Sequence, residues 1–420
     1  VVVGAARTAD VRAAVRFAVD NGLPVGVQAA GHGCSAPAEG GVLITTGRMS
    51  GVVVDPRRRT VTVEAGVRFE QVIPAAAQHG LAPLGGSAPH VGVVGYVLGG
   101  GVGLLVRTYG YAADRVCSLE VVTADGSLLR VTPDTEPDLY WALLGGRDNF
   151  GIVTRLEMGL VPVERLYGGG LFFDARATPD LLSAYIRWTR DLPEEMNSSV
   201  ALIPFPEDPE VPGVLRGRHV YHLRVAYTGN AREATRLLEP LRAMAGPPLI
   251  EALHDMPYTQ SASIHDEPSV AVPFVREVAL FREFDQDTID TVLEHAGPQS
   301  PLPIVVEVRH LGGALATPPR HPNAVGHRDA TYLLSVVVLL FGVTEDDTRR
   351  VFGKLFDALR PWSIGTSLNF MGHGRNAGGM RLRAAYTPAD LERLAALKAA
   401  HDPSNLFRLN YNIPPAVGRE

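Results

Sequence analysis

The segment Val91-Gly92-Val93-Val94-Gly95-Tyr96-Val97-Leu98-Gly99-Gly100-Gly101-Val102-Gly103 constrains the fold of this chain more than any other. Its glycines let a backbone approach a ligand without interference from Cβ atoms, and successive inward-pointing N–H groups can form a nest for a pyrophosphate. Upstream, Gly31-His32-Gly33 holds an imidazole on a thin, open turn. Taken singly, a glycine run is more often a loop than a cofactor cradle, and a histidine between glycines more often fills a polar turn. The usual nucleotide signatures are missing: the opening Val1-Val2-Val3-Gly4 lacks the G-x-G-x-x-G spacing, and no G-x-x-x-x-G-K-[ST] occurs. NAD and P-loop nucleotides are thereby disfavoured.

Hydrophobic periodicity places two kinds of architecture in series. In the first part, Val11, Val15 and Ala18 share a helical face, and short apolar runs at 23–27, 41–44, 51–54, 60–64 and 118–123 read as strands around a helix at 69–79. From about residue 166 longer strands are expected at 170–173, 200–203, 220–227, 304–311 and 332–341, with helices at 181–188, 231–244 and 345–359. Such strands, with helices to one side, predict an antiparallel sheet that leaves its other face open to ligand. A final helix at 388–401 precedes an Asn-Tyr-Asn segment.

Composition excludes more than it selects. With 420 residues, a net charge of -6 and dispersed basic residues, the chain has room for two domains and no footprint for nucleic acid. No apolar run has the length of a membrane span. Two cysteines, Cys34 and Cys117, are too few for a disulfide framework and fit a cytoplasmic location. Secretion stays open, because the chain lacks an initiator Met and a removed leader would not be seen. Thirteen histidines include no H-x-x-x-H pair, so no metal is expected, and no G-x-S-x-G elbow occurs.

Four separated segments together resemble the berberine-bridge-enzyme-like branch of the FAD-linked oxidases with a vanillyl-alcohol-oxidase-type (PCMH) flavin domain. They are Val27-Gln28-Ala29-Ala30-Gly31-His32-Gly33; residues 92–103 followed by Tyr109-Gly110-Tyr111-Ala112-Ala113-Asp114; Asp138-Leu139-Tyr140-Trp141 through Asn149-Phe150-Gly151-Ile152-Val153-Thr154; and residues 402–415, around Asn410-Tyr411-Asn412. The resemblance implies an α+β fold: an FAD-binding domain of two α/β subdomains, and a substrate domain whose antiparallel sheet is backed by helices. The expected division is residues 1–165 with 371–420 for the flavin, the tail returning to the first domain, and 166–370 for the substrate.

In that family the histidine of the Gly-His pair is bonded to the flavin 8α-methyl, which here would be His32. A second bond, from a Cys-Pro segment, is not expected, because Ala88 stands where that cysteine falls. Further cofactor contacts are expected from Gly31, Gly33, Cys34, Val91, Gly92, Val93, Gly95, Gly99, Gly100, Asp114, Ile152, Val153, Asn410 and Asn412. Val91 stands where a small residue leaves room for O2 beside the flavin. A base must then remove a proton as hydride leaves the substrate carbon. The candidates are Tyr411, Tyr109 and Glu307, with Arg309 and Tyr411 facing substrate; Glu307 and Arg309 share one face of their strand by its period of two. For each tyrosine the competing reading is a pocket wall, and for Glu307 a satisfied ion pair.

The implied activity is oxidation of an alcohol, amine or sugar-type C–H in a bulky organic or natural-product substrate, with O2 reduced to H2O2. A dehydrogenase with another electron acceptor, and a flavoprotein that sequesters a toxic small molecule, remain the alternatives.

Overall fold

Three sheets organise the protein in a computed structural model, which describes all residues except 34–36, 268–269, 271, 372–379 and 418–420. A small parallel sheet has the order Val2–Gly4, Val42–Thr45, Val25–Gln28. Helix Thr8–Asp20 covers it with Val11, Val15 and Ala18, the stripe visible in the sequence, joined by Ala14. An antiparallel sheet follows in the order Val52–Asp55, Thr60–Glu64, Ile152–Gly159, Val116–Val122, Leu128–Val131.

The third sheet is antiparallel throughout and has nine strands. Its centre runs Arg165–Asp174, His219–Tyr227, Met196–Pro204, Val305–His310, Tyr332–Leu339, Phe274–Phe281. Helices Leu181–Thr189, Ala231–Ala245, Gln286–Ala296 and Glu345–Leu359 pack on one face, against Val200, Leu223, Val306, Val308 and Leu334. Each fully buried Leu or Phe there, such as Phe352 and Leu355, contributes about 1.5–3 kcal/mol. Asn230, Asp285 and Thr344 cap three of these helices, each side chain accepting a backbone N–H three residues on.

The expected α+β class and helix-backed sheet are observed. Pattern reading misses the strand Phe274–Phe281 and the helix Gln286–Ala296. In the strand, Arg276 lines a cavity and Glu277 pairs with Arg381, so adjacent charges interrupt the apolar alternation. The other face of the large sheet looks toward the first two sheets and shares a core with them through Ala226, Val278, Leu280 and Leu333. The last helix, Pro388–His401, packs beside Pro137–Gly146, and beyond it Leu406 and Phe407 join the core of the small parallel sheet.

Candidate active site

The carboxyl ends of parallel strands Val25–Gln28 and Val42–Thr45 open onto a cavity with room for the centres of water molecules over about 220 Å³. Ligands of open α/β sheets settle at such ends, where loops diverge and backbone groups are left unpaired. Gly31, His32, Gly33, Val91, Gly92, Gly95 and Val153 all line it. Gly31 has φ +75°, and a Cβ there would lie 2.8 Å from Gln28 Nε2, so the turn presenting His32 needs glycine. The His32 ring stands edge-on to that of His90, centroids 5.3 Å apart. Ala88, at the position of the family's second linking cysteine, also lines the cavity.

The glycine run is less a nest than a short helix, Val93–Leu98, followed by a tight turn. Val93 corrects the expectation of a cofactor contact: its side chain is fully buried and its N–H donates to the Val67 carbonyl at 2.9 Å. Gly99 and Gly100 direct their N–H groups to Val97 O and do not reach the cavity. They serve close packing, Gly99 against Asn369 and Gly100, at φ +110°, against Val325. Asn369 braces the turn, its Oδ1 accepting from Gly101 N at 2.8 Å and its Nδ2 donating to Tyr96 O at 2.9 Å. Asp114 is also placed elsewhere, its carboxylate taken up by Arg328 and Asn323. Ile152 lies in the core beneath the small sheet, and Cys34 falls outside the described residues.

The carboxyl-terminal segment closes the cavity. Tyr411 lines it, 4% exposed, with its hydroxyl donating to Met371 O at 2.9 Å and the Arg147 guanidinium carbon 5.4 Å from its ring centre. Asn149 ties the segment down, donating to Tyr411 O at 3.1 Å and accepting from Ile413 N at 2.8 Å. Lys398 and Asp402, both fully buried, form an ion pair at 2.7 Å behind it. Asn410 and Asn412 do not line the cavity, yet each has a buried Oδ1 without a hydrogen-bond partner.

The large sheet supplies the opposite wall. Glu307 and Arg309 both line the cavity, as their shared face predicts. Glu307 accepts from Arg224 at 3.0 Å and from Arg309 at 3.1 Å. Burial pushes its carboxyl upward, but the Arg309 and Arg224 guanidiniums outweigh burial and hold it well below the ordinary carboxylate range. A carboxylate so stabilised is a poor proton acceptor, which corrects its assignment as the base. Behind it His222 stacks on Phe172 and is pushed down to about 2 by burial and by Arg224, so it is neutral.

Tyr109 does not reach the cavity. Its ring faces Arg115, while its helix neighbour Arg107 anchors that helix to the large sheet through Met196 O and Leu311 O. Pattern reading misses Tyr96, Arg147, Glu267, Arg276 and Phe370, all of which line the cavity. Only the aromatic inside the glycine run carried a signal, since a tyrosine is a costly insertion into a segment of small residues.

Residues 1–132 match the FAD binding domain family and residues 370–414 match the family described as berberine and berberine like. The chain is 26% identical, over 97% of its length and 89% of the relative's, to (R)-6-hydroxynicotine oxidase of Paenarthrobacter nicotinovorans. In both of its matched segments and over the length of that relative, the chain is similar to the berberine-bridge-enzyme-like FAD-linked oxidases. A xylooligosaccharide oxidase from Myceliophthora thermophila superposes with a TM-score of 0.87 at 21% identity, covering 99% of this chain and 92% of the other. The 6-hydroxy-D-nicotine oxidase of Arthrobacter nicotinovorans superposes with a TM-score of 0.84 at 24% identity, covering 99% and 92%. This FAD-linked oxidoreductase has residues that fit its cofactor: the buried Thr46 Oγ1 and Tyr96 hydroxyl line the cavity without a hydrogen-bond partner, as groups awaiting a polar ligand do. Among the described residues no group of His, Cys, Asp and Glu converges to hold a metal, and no helix is long and apolar enough to cross a membrane.

Proposed function

We propose that this oxidoreductase carries FAD bonded once, through His32, and oxidises a C–H bond next to oxygen or nitrogen in a small organic molecule. The observation that carries the reading is the convergence of Gly31-His32-Gly33, Val91, Gly92, Gly95 and Tyr411 on one cavity. Residues 1–165 and 371–420 would form the flavin-holding part and 166–370 the substrate part. Relatives named for 6-hydroxynicotine and for xylooligosaccharides support a small organic or sugar substrate.

A bound flavin supplies the hydride acceptor and returns the two electrons to O2 as H2O2. The substrate thus loses a C–H hydride and one O–H or N–H proton. Tyr411 would take that proton, with the Arg147 guanidinium carbon 5.4 Å from its ring centre. Glu307 acts through Arg309, fixing the guanidinium against the cavity. The glycine turn and the tail exclude water by packing around the site, and Val91 leaves the space through which O2 would reach the cofactor.

Acid precipitation tests the linkage. Yellow flavin should stay with the precipitated protein, and His32→Ala should release it into the supernatant. Flavin that leaves the unaltered protein on precipitation overturns the covalent bond. Failure to evolve H2O2 while substrate bleaches the flavin overturns the choice of O2.

A further inference from the structure

The sheet wall of the cavity is more positive than the ion pairs around it require. Arg224 and Arg309 share a single carboxylate, Glu307. Arg276 lines the same wall and has no carboxylate within ion-pair distance among the described residues. Glu267, the other acid on this wall, is turned to Ser87, and its side chain keeps 34% of its exposure. The nearby His265 is buried and held neutral, burial and the adjoining guanidiniums lowering its affinity for a proton. With Arg224 behind the cavity drawing on Glu307, three guanidiniums on the sheet side share two carboxylates, leaving an excess positive charge next to Arg276 and Arg309 at the cavity wall.

The donors are unfilled as well as uncompensated. The Nε of Arg276 and the Nε of Arg309 are both buried without a hydrogen-bond partner. Arg309 spends its NH2 on Glu307, at 3.1 and 3.3 Å, and leaves the Nε edge unused. Both guanidiniums flank the Phe370 ring, with their central carbons 6.0 and 5.2 Å from its centre. Stacking fixes the two planar forks while leaving their edges able to meet a planar anion. Buried guanidinium edges with no partner are costly, so the wall is incomplete without an acceptor.

We infer that this wall is an anion subsite, and that the molecule oxidised here carries a carboxylate on an apolar body, gripped by Arg276 and Arg309. Phe370, Leu368 and Tyr96 supply the apolar surface for that body. The inference rests on the proposed flavin site only in assigning the anion to the substrate. A carboxylate offers two coplanar oxygens, and the forked donors of arginine match that pair bidentately. A neutral sugar or amine would leave the excess charge uncompensated.

Calorimetric titration of the purified protein with benzoate and with its neutral analogue benzamide tests this. Benzoate should bind at least about tenfold more tightly, and Arg276→Gln should reduce the preference to less than about threefold, as loss of a charge-assisted hydrogen bond implies. Arg276→Lys, which keeps the charge and loses the fork, should retain part of it. Equal binding of the two ligands, binding of neither, or a preference unchanged in Arg276→Gln overturns the subsite. Flavin content is read from absorbance on the same samples. If Arg276→Gln loses flavin, the guanidinium serves the cofactor and the assignment to substrate is overturned. A colourless protein defeats the flavin reading, yet its calorimetric comparison still decides the anion subsite.

Discussion

Lys398→Met should loosen the segment that carries Tyr411 into the cavity. The Lys398 ammonium is fully buried and donates to Asp402 Oδ2 at 2.7 Å, Asn149 O at 2.6 Å and Phe407 O at 3.0 Å. Asp402 in turn accepts the Leu406 N–H at 2.7 Å and the Phe407 N–H at 2.9 Å, and Leu406 O accepts the Val25 N–H at 2.9 Å. One ion pair thus links the last helix, the 147–149 turn and the tail. Burial lowers the Lys398 proton affinity even with Asp402 beside it, so the pair is costly to desolvate. Removing only the ammonium leaves Asp402 as an unpaired buried charge, a loss of about 3–5 kcal/mol. Asp402→Asn alone strands the ammonium, and the expected loss is similar. In Lys398→Met with Asp402→Asn no charge is left, an amide oxygen still accepts from the tail, and more than half of the single-variant loss should return. Urea unfolding followed by circular dichroism and by flavin fluorescence measures all four proteins. Single variants within about 1 kcal/mol of the unaltered protein, or a double variant as weak as the weaker single one, would refute the reasoning.

Acid should erase the benefit of Glu307. Its proton affinity is lower folded than unfolded, so its stabilisation is complete above its ordinary pKa of 4.5 and fades as pH falls below that. Glu307→Gln should be destabilised by about 3–5 kcal/mol near pH 7, where two guanidiniums lose their shared partner. Unfolding midpoints taken from about pH 7 to about pH 3 should show that gap narrowing on acidification; a gap that widens sinks the argument. In the glycine run, a Cβ on Gly101 at φ +81° would lie 2.6 Å from Ala112 Cβ and 2.8 Å from Tyr96 Cε1. Gly101→Ala should cost about 2–4 kcal/mol, whereas Gly95→Ala, with nothing within 4 Å, should leave thermal stability intact or raise it by up to about 1 kcal/mol. Equal melting of the two variants would contradict the packing role.

The glycine-lined side of the cavity was legible because its requirements are local. Positive φ at Gly31 and Gly101, and the close approach of the tail's Leu409 to Gly26, restrict residue type at single positions, and such restrictions survive in a linear sequence. Period-two alternation likewise put Glu307 and Arg309 on one face. It could not show that Glu307 is shared with Arg224, because their pairing depends on Val305–His310 and His219–Tyr227 flanking the same central strand, far apart in sequence. Arg276 was invisible for a related reason. Its strand carries a cavity-facing charge next to a paired one, and neither charge signals a strand by propensity. Asp114 and Val93 show the converse error: both sit inside recognisable motifs, but the ion pair with Arg328 and the bond to Val67 O assign them to packing.

These two walls differ in what substitution would do to them. On the glycine-lined side, glycines and small apolar residues do the shaping, so a change there alters backbone geometry and the core beneath the site. On the sheet side, Arg276, Glu307 and Arg309 project from strands whose opposite faces already pack against four helices through Val275, Val306 and Val308. Because successive strand residues point to opposite faces, a change at 276 or 309 leaves that helix-side packing in place. Glu307 is the exception, since removing it strands Arg224 and Arg309 together. Substrate preference should therefore be alterable through Arg276 with little loss of stability, whereas Glu307 must be changed together with its arginines.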